Sequence, residues 1–545
     1  MATAGGRLLE DAETFAISKT DFGRLRSTVN GAQALIRTLV AGGVDVCFGN
    51  PGTSEMHFVA ALDQVPEMRA VLGLHEGVVT GAADGFGRMA GRPAATLLHL
   101  GPGLANGLAG LHNARRAFTP VVNIVGDHAG YHRQYDAPLN SDIDLLAGWL
   151  GGWLKRTNDA AEVGADAAEA ITAALTPPGR IATLVLPADV SWSEGGRAVS
   201  PAAPAGRTEV GDAEVTAVAG LLRSGARCAL LLGGAATREP GLRAASRIGA
   251  GSGATLLVET FPARLERGAG LPAVDRLGYL AEQVEHQLAG MEHLILVGAR
   301  APVSFFAYPG KPSDLVPDGC TVHVLARGGD DVVDALERLA DLVAPGAEPV
   351  LQEPIVPELP SGELTAQSLA ETIGATLPEH AIVADESITS GRSLPLTTAG
   401  SPPHDLLTLT GGAIGHGLPM ATGAAVACPD RPVLCLEADG SAMYSLSALW
   451  TQAREQLNVT TVILNNGSYA ILRMELQRVG VTETGSKAAE LLELSPPTID
   501  FVALAIGMGV PASRATTCEE LAAQLRAAFV EPGPHLIDAM LEPLS

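Results

Sequence analysis

Along this chain, apolar residues come in short unbroken runs rather than in strict alternation, and most runs end at a glycine, a proline or an acidic residue. The first runs are "VDVCFG" (44–49), "AATLLHL" (94–100), "PVVNIVGD" (120–127) and "ATLVLPAD" (182–189). "CALLLGG" (228–234), "ATLLVETF" (254–261), "HLILVGA" (293–299) and "TVHVLA" (321–326) follow. "AIVADE" (381–386), "PVLCLEADG" (432–440), "VTTVILNN" (459–466) and "HLIDAML" (535–541) complete the set. Runs of this length, rich in β-branched residues and apolar on both faces, predict buried strands of parallel sheets. Longer amphipathic stretches lie between them, such as "SLSALWTQAREQ" (445–456), and predict helices. Two stretches break this rhythm: 193–211, rich in Gly, Pro, Ser and Ala, and 344–363, with five prolines. Proline fixes φ and removes a backbone donor, so both read as linkers. The expected fold is α/β with three domains, 25–192, 212–343 and 364–545. Each is a mainly parallel sheet with helices on both faces.

Composition narrows the function. A chain of 545 residues exceeds one ordinary domain. Its net charge of −24 argues against a nucleic-acid partner, which needs Lys and Arg to neutralise phosphates. It leaves an anionic substrate open, because site charge is local. The six cysteines form no C-x-x-C pair and read as buried thiols of a reducing compartment. The first 25 residues hold no apolar core of a signal peptide, and no run of eighteen apolar residues predicts a membrane span. A cytoplasmic protein with no membrane partner is the expectation.

The most specific stretch is "LEADGSAMYSLSALWTQAREQLNVTTVILNNGSYAILR" (436–473). A strand ends near Glu437, a tight turn carries Asp439 and Gly440, and a helix starts near Ser441. A second strand then delivers Asn465, Asn466, Gly467 and Ser468. Right-handed crossovers return parallel strands to the same sheet edge, so Asp439 and Asn466 can converge although 27 positions apart. A carboxylate, an amide oxygen and a nearby carbonyl form an all-oxygen ligand set suited to Mg²⁺. The helix start offers N–H groups to an anion at the same place. Read singly, each element is only an Asp-Gly or Asn-Gly turn.

This wording resembles the thiamine diphosphate signature, GDG followed about 27 residues later by NN, and is most similar to its benzoylformate decarboxylase branch. The resemblance implies thiamine diphosphate and Mg²⁺ as cofactors. Asp439, Asn466 and the Ser468 carbonyl would bind the metal, and Gly440, Ser441 and Tyr469 would lie by the diphosphate. Ala438 stands where the family has its first glycine. "DESITSGRS" (385–393) resembles the diphosphate-side loop, with Thr389 and Ser390. "LTGGAIGHGLPMATG" (409–423) resembles the segment that bends the cofactor, with the Gly412 carbonyl on its amino group and Ile414 as the wedge beneath its rings. His416 replaces an apolar or amide residue often seen there and takes no assigned role.

In "GLHEGVVTGAADGFGRMAG" (73–91), Glu76 alone could be a helix-start acid. The resemblance makes it the catalytic carboxyl on the pyrimidine nitrogen N1′. "FGNPGTSE" (48–55) resembles the family's first strand and turn, placing Thr53 and Glu55 toward the catalytic centre, and His99 matches a histidine that contacts substrate. Ile471 matches a position facing the substrate.

The implied reaction is decarboxylation of a 2-oxo acid, with release of an aldehyde or carboligation to a 2-hydroxy ketone. Acetolactate synthases typically carry an "AFQE" segment where this chain reads "YHRQYDAPLNSD" (131–142), so acetolactate synthase-like carboligation stands as the alternative. A flavin or nicotinamide oxidoreductase is a further alternative. Against it, "LLLGGAATREPG" (230–241) lacks G-x-G-x-x-G, although Glu259 lies where a ribose-binding acid could be. The family's sites form between subunits, which implies a homodimer or homotetramer.

Overall fold

The computed structural model describes residues 29–481 and 485–542. The amino-terminal stretch read for a leader, residues 25–28 of the first block and the last three residues of the third lie outside them.

The first sheet is built from β1 (Val46–Asn50), β2 (Arg69–Leu72), β3 (Ala94–Leu98), β4 (Val121–Asp127), β5 (Trp153–Arg156) and β6 (Ile181–Pro187). Its order is β2-β1-β3-β4-β6-β5, parallel throughout. Helix α1 (Glu76–Ala90) follows β2, and α2 (Leu100–Arg116) follows β3. The middle sheet takes β7 (Cys228–Leu232), β8 (Thr255–Val258), β10 (Asp275–Arg276), β11 (His293–Val297) and β12 (Thr321–Ala326), in the order β10-β8-β7-β11-β12. The short strand between them, β9 (Leu265–Arg267), leaves this sheet and pairs antiparallel on the edge of the third.

The third sheet comprises β13 (Ile382–Glu386), β14 (His404–Thr408), β15 (Val433–Ala438), β16 (Val459–Asn465), β17 (Ala512–Ala515) and β18 (His535–Met540). With β9 its order is β9-β14-β13-β15-β16-β18-β17. Helix α3 (Gly417–Ala427) follows β14, and α6 (Ala470–Arg478) follows β16. The helix expected near Ser441 is α4 (Asp439–Ser445), and the one expected over 445–456 is α5 (Ala448–Glu455), with a turn at Leu446–Ser447 between them. The first begins directly at Asp439, whose own carboxylate accepts the Gly440 N–H at 2.7 Å.

The glycine- and alanine-rich faces of α1 and α3 have a packing reason. A methyl on Gly85 would overlap the Met420 carbonyl oxygen, and one on Gly423 would overlap that of Ala82. The two helices therefore cross backbone against backbone. Beneath α1, Phe86 meets Phe48 of β1 edge-to-face with centroids 6.3 Å apart, a geometry worth about 0.5–1.5 kcal/mol beyond burial. This crossing joins the first sheet to the third. It leaves the carboxyl edges of both sheets to the loops, the usual location of sites in parallel sheets. No helix among the described residues is long and apolar enough to cross a membrane.

Candidate active site

Two groups of polar residues stand at these edges. On the first sheet, β1 runs into Gly52 and the short turn Thr53–Glu55, β2 leads to Glu76, and β3 leads to His99. Glu55 is buried; its Oε2 accepts the Gly52 N–H at 2.7 Å and lies 2.8 Å from His99 Nδ1. Gly52 is required here, because any Cβ would overlap the His99 imidazole. The hydrogen bond that Glu55 accepts lifts the His99 pKa above the usual histidine value, against the opposing pull of burial, and Glu76 adds to the lift. Glu76 opens α1 directly after His75, whose ring nitrogen accepts the Gly77 N–H at 3.0 Å and caps the helix. The Glu76 side chain is buried, and its Oε2 accepts from Asn106 Nδ2 of α2 at 3.0 Å. Thr53 is exposed on the short turn.

On the third sheet, Asp439 and Asn466 do converge. Asp439 Oδ2 accepts the backbone N–H groups of Asn466 at 3.0 Å and of Gly467 at 2.7 Å. Asn466 Oδ1 accepts the Ser468 N–H at 3.0 Å, and its Nδ2 donates to Ser390 Oγ at 3.3 Å. Asp439, Asn466, Ser468, Ser441 and Ser390 are all buried. Burial pushes the Asp439 carboxyl up, and the backbone N–H groups pull it partly back. Tyr469 lays its ring against Gly440, where a Cβ would overlap it. Thr389 and Ser390 border a cavity of about 660 Å³ lined also by Arg392, Ala470 and Arg473.

Between the groups runs the loop 409–416 from β14 to α3. Gly412 and Gly415 take positive φ, +76° and +82°, so the chain turns on both sides of Ile414. Glu386, at the end of β13, accepts the N–H groups of Gly415, His416 and Gly417 at 2.6–2.7 Å. Asn113 of α2 brackets Ala413, accepting its N–H at 3.2 Å and donating to its carbonyl at 2.8 Å. Ile471 lies in the first turn of α6.

The third-sheet group could hold a divalent metal: its donor set is a carboxylate, an amide oxygen and a carbonyl, all hard oxygens. Residues 29–147 match the model of the "Thiamine pyrophosphate enzyme, N-terminal TPP binding domain", and residues 394–539 match its C-terminal TPP binding domain. A Mycobacterium tuberculosis protein described as "Putative acetolactate synthase large subunit IlvX" is 64% identical over 517 residues, covering 95% of this chain and all of that one. The chain belongs to the thiamine pyrophosphate enzyme family.

Within this family, a benzoylformate decarboxylase of Pseudomonas aeruginosa is 31% identical, with 91% of this chain and 96% of that one covered. Among solved structures, a thiamine diphosphate-dependent 4-hydroxybenzoylformate decarboxylase of Rhodococcus jostii RHA1 superposes with a TM-score of 0.83 at 26% identity, covering 95% of this chain and all of that one. The three-sheet α/β fold is thus that of thiamine diphosphate enzymes, and this chain is one of them, an enzyme that uses thiamine diphosphate.

Four supporting residues escaped the sequence reading. Asn106 has only its helical spacing to mark it, seven positions past His99. Glu386 closes a strand like many other acids. Asn113 carries no local signal, and Asp84 only its i,i+4 pairing with Arg88, because the loop partners of both lie some 300 positions away. Glu259 stands beside Gly233 at the end of β8, with burial pushing its carboxyl up to about 7.

Proposed function

We propose that this thiamine diphosphate enzyme uses Mg²⁺ to decarboxylate a 2-oxo acid. The cofactor, when bound, supplies the carbon nucleophile that also accepts the electrons left when CO₂ departs. Asp439, Asn466 and the Ser468 carbonyl hold Mg²⁺. Thr389, Ser390, Gly440, Ser441 and Tyr469 surround the diphosphate. The Gly412 carbonyl and Ile414 would contact the cofactor's two rings. Glu76, oriented by Asn106, holds the proton at the pyrimidine nitrogen N1′. Thr53 and His99 face the substrate, and Ile471 bounds its acyl side.

The observation that carries the decarboxylase reading is the His99–Glu55 pair beside Glu76. An imidazole held toward its cationic form pairs with the carboxylate of an incoming 2-oxo acid and has a proton to give after CO₂ leaves. A second reading, acetolactate synthase-like carboligation, is favoured by the full-length 64% identity to the protein described as an acetolactate synthase large subunit.

The same reading makes the working unit a homodimer or homotetramer, each site completed by a second copy. Within one chain the Glu76 and Asp439 groups are separate networks, and among the described residues no hydrogen bond joins them directly. The six free cysteines, four of them buried, support a cytoplasmic setting. The test supplies Mg²⁺ and thiamine diphosphate, follows CO₂ release over a panel of 2-oxo acids, and separates aldehyde from 2-hydroxy ketone products. Cofactor binding without turnover of any acid would overturn decarboxylation.

A further inference from the structure

The side chain of His416 reaches away from the loop that carries it and into α1. Its Nε2 lies 2.7 Å from Asp84 Oδ2. Asp84 also takes Arg88 Nε at 3.0 Å and the Thr119 hydroxyl. All three side chains are almost wholly buried, with 3%, 0% and 1% exposure for His416, Asp84 and Arg88. Burial alone would push the Asp84 carboxyl up, but Arg88 and His416 outweigh it and hold it down to about 2. An ionised carboxylate only accepts, so the imidazole donates.

Arg88 completes a frame around the loop. Its guanidinium donates to the Thr408 carbonyl at 2.7 Å and to Thr410 Oγ1 at 3.0 Å, the residues that enter the loop. His416 is the residue that leaves it. Both ends of 409–416 are therefore tied to one turn of α1, and His112 and Asn113 of α2 tie the middle at Gly411 and Ala413. Ile414 is left free of these side-chain ties, between the two left-handed glycines Gly412 and Gly415.

We infer that His416, acting through Asp84, is a positioning residue that fixes the Gly412 carbonyl and the Ile414 side chain for the cofactor. This rests on the reading that those two residues touch the cofactor. The frame explains why an imidazole at 416 is useful. The backbone N–H of His416 is already taken by Glu386, so the hydrogen bond from this residue to α1 comes from its side chain. Without the imidazole, Asp84 keeps Arg88 and Thr119 but loses one donor, and the end of the loop that carried that donor can relax away from α1.

The test uses the full chain loaded with thiamine diphosphate and Mg²⁺, and the 2-oxo acid it turns over fastest. His416→Phe fills the volume without a donor, and His416→Gln keeps an N–H toward Asp84. His416→Phe is expected to lower kcat tenfold or more with KM within about twofold, and to change the near-ultraviolet circular dichroism of the bound cofactor. His416→Gln is expected to recover most of both. Should His416→Phe not be obtained folded, His416→Asn, whose amide stops short of Asp84, takes its place and should show the same loss. Equal losses in the donor-keeping and donor-lacking variants would overturn the inference, as would a fall in thermal stability with kcat and dichroism unchanged. Ile414→Ala separates the two levels. If it leaves kcat and dichroism intact, the reading of the loop as a cofactor contact fails. If it impairs both while His416→Phe behaves as the native protein, only the positioning role fails.

Discussion

The two halves of the candidate site are held by different kinds of bond. At the first sheet, side chains mainly hold side chains: Glu55, which also takes the Gly52 N–H, holds His99, and Asn106 holds Glu76. At the third sheet, the backbone holds the carboxylates. Asp439 takes the N–H groups of Gly440, Asn466 and Gly467, and Glu386 takes those of Gly415, His416 and Gly417. Backbone donors are fixed by the fold and cannot titrate, whereas a histidine–carboxylate pair responds to pH. The third-sheet half is therefore a rigid mount, and the first-sheet half is the adjustable, proton-handling part. Substitutions in the first half should change chemistry at constant fold, and those in the second should change fold and cofactor affinity together.

The largest effect is expected from Glu76→Gln. The amide keeps the shape but cannot share a proton, so kcat should fall by about 10²–10⁴, the range for losing a positioned acid–base group. Thermal stability without cofactor should stay within a degree or two of native. A marked drop in that stability would show that Glu76 supports the fold like its third-sheet counterparts, and the contrast between halves would break.

Asp439→Asn should act on both properties. Its amide turns at least one N–H toward backbone donors that need an acceptor, which lowers the stability of the cofactor-free protein. It also removes the one charged oxygen proposed for the metal. Native protein at a hundredfold excess of cofactor over Kd should gain about 2.7 kcal/mol of stability. For Asp439→Asn, thermal melts with and without Mg²⁺ and thiamine diphosphate should coincide. A full cofactor-induced shift in the variant would remove Asp439 from the metal site.

Glu55→Gln sharpens the contrast through pH. The folded His99 pKa lies above the ordinary value of 6.5 because Glu55 accepts its hydrogen bond. Stability from the pair is present in full below that ordinary value and is lost as pH rises through the raised one. Activity that needs cationic His99 should fall over the same alkaline window. Removing the Glu55 charge lowers the His99 pKa, so the alkaline limb of kcat/KM should move to lower pH while the acid limb stays. An unmoved alkaline limb would show that His99 does not carry the essential proton.

The same division explains how much could be read in advance. Buried strands such as Cys228–Leu232 and Val459–Asn465 announce themselves because both faces are covered. Trp153–Arg156, with the residues "WLKR" at a sheet edge, has no apolar run to find, and Leu265–Arg267 joins a sheet from another block, which no local pattern encodes. The Asp439–Asn466 pairing is legible because backbone geometry ties it to fixed spacings after two strands. In the side-chain half, resemblance singles out Glu55, Glu76 and His99, but their pairings are not legible, since these residues and Asn106 come from separate segments brought together by packing. The His416–Asp84 tie, spanning 332 positions, is visible only in the fold.

The smallest expected effect tests the rigid mount where it is purely steric. Gly440 carries no charge, yet a Cβ there would overlap the Tyr469 ring. Gly440→Ala should push that ring outward, at about 1–3 kcal/mol, as overpacking in a dense region usually does. Asp439 would keep its chemistry, but the N–H groups of residues 440, 466 and 467 that hold it would be re-aimed. The cofactor Kd should therefore rise while kcat at saturation changes little, the reverse of Glu76→Gln. Coupling this with Tyr469→Ala, which opens the space again, should recover part of the affinity. If Gly440→Ala alone binds cofactor as the native protein does, Tyr469 has room to move and the mount is softer than its hydrogen bonds imply.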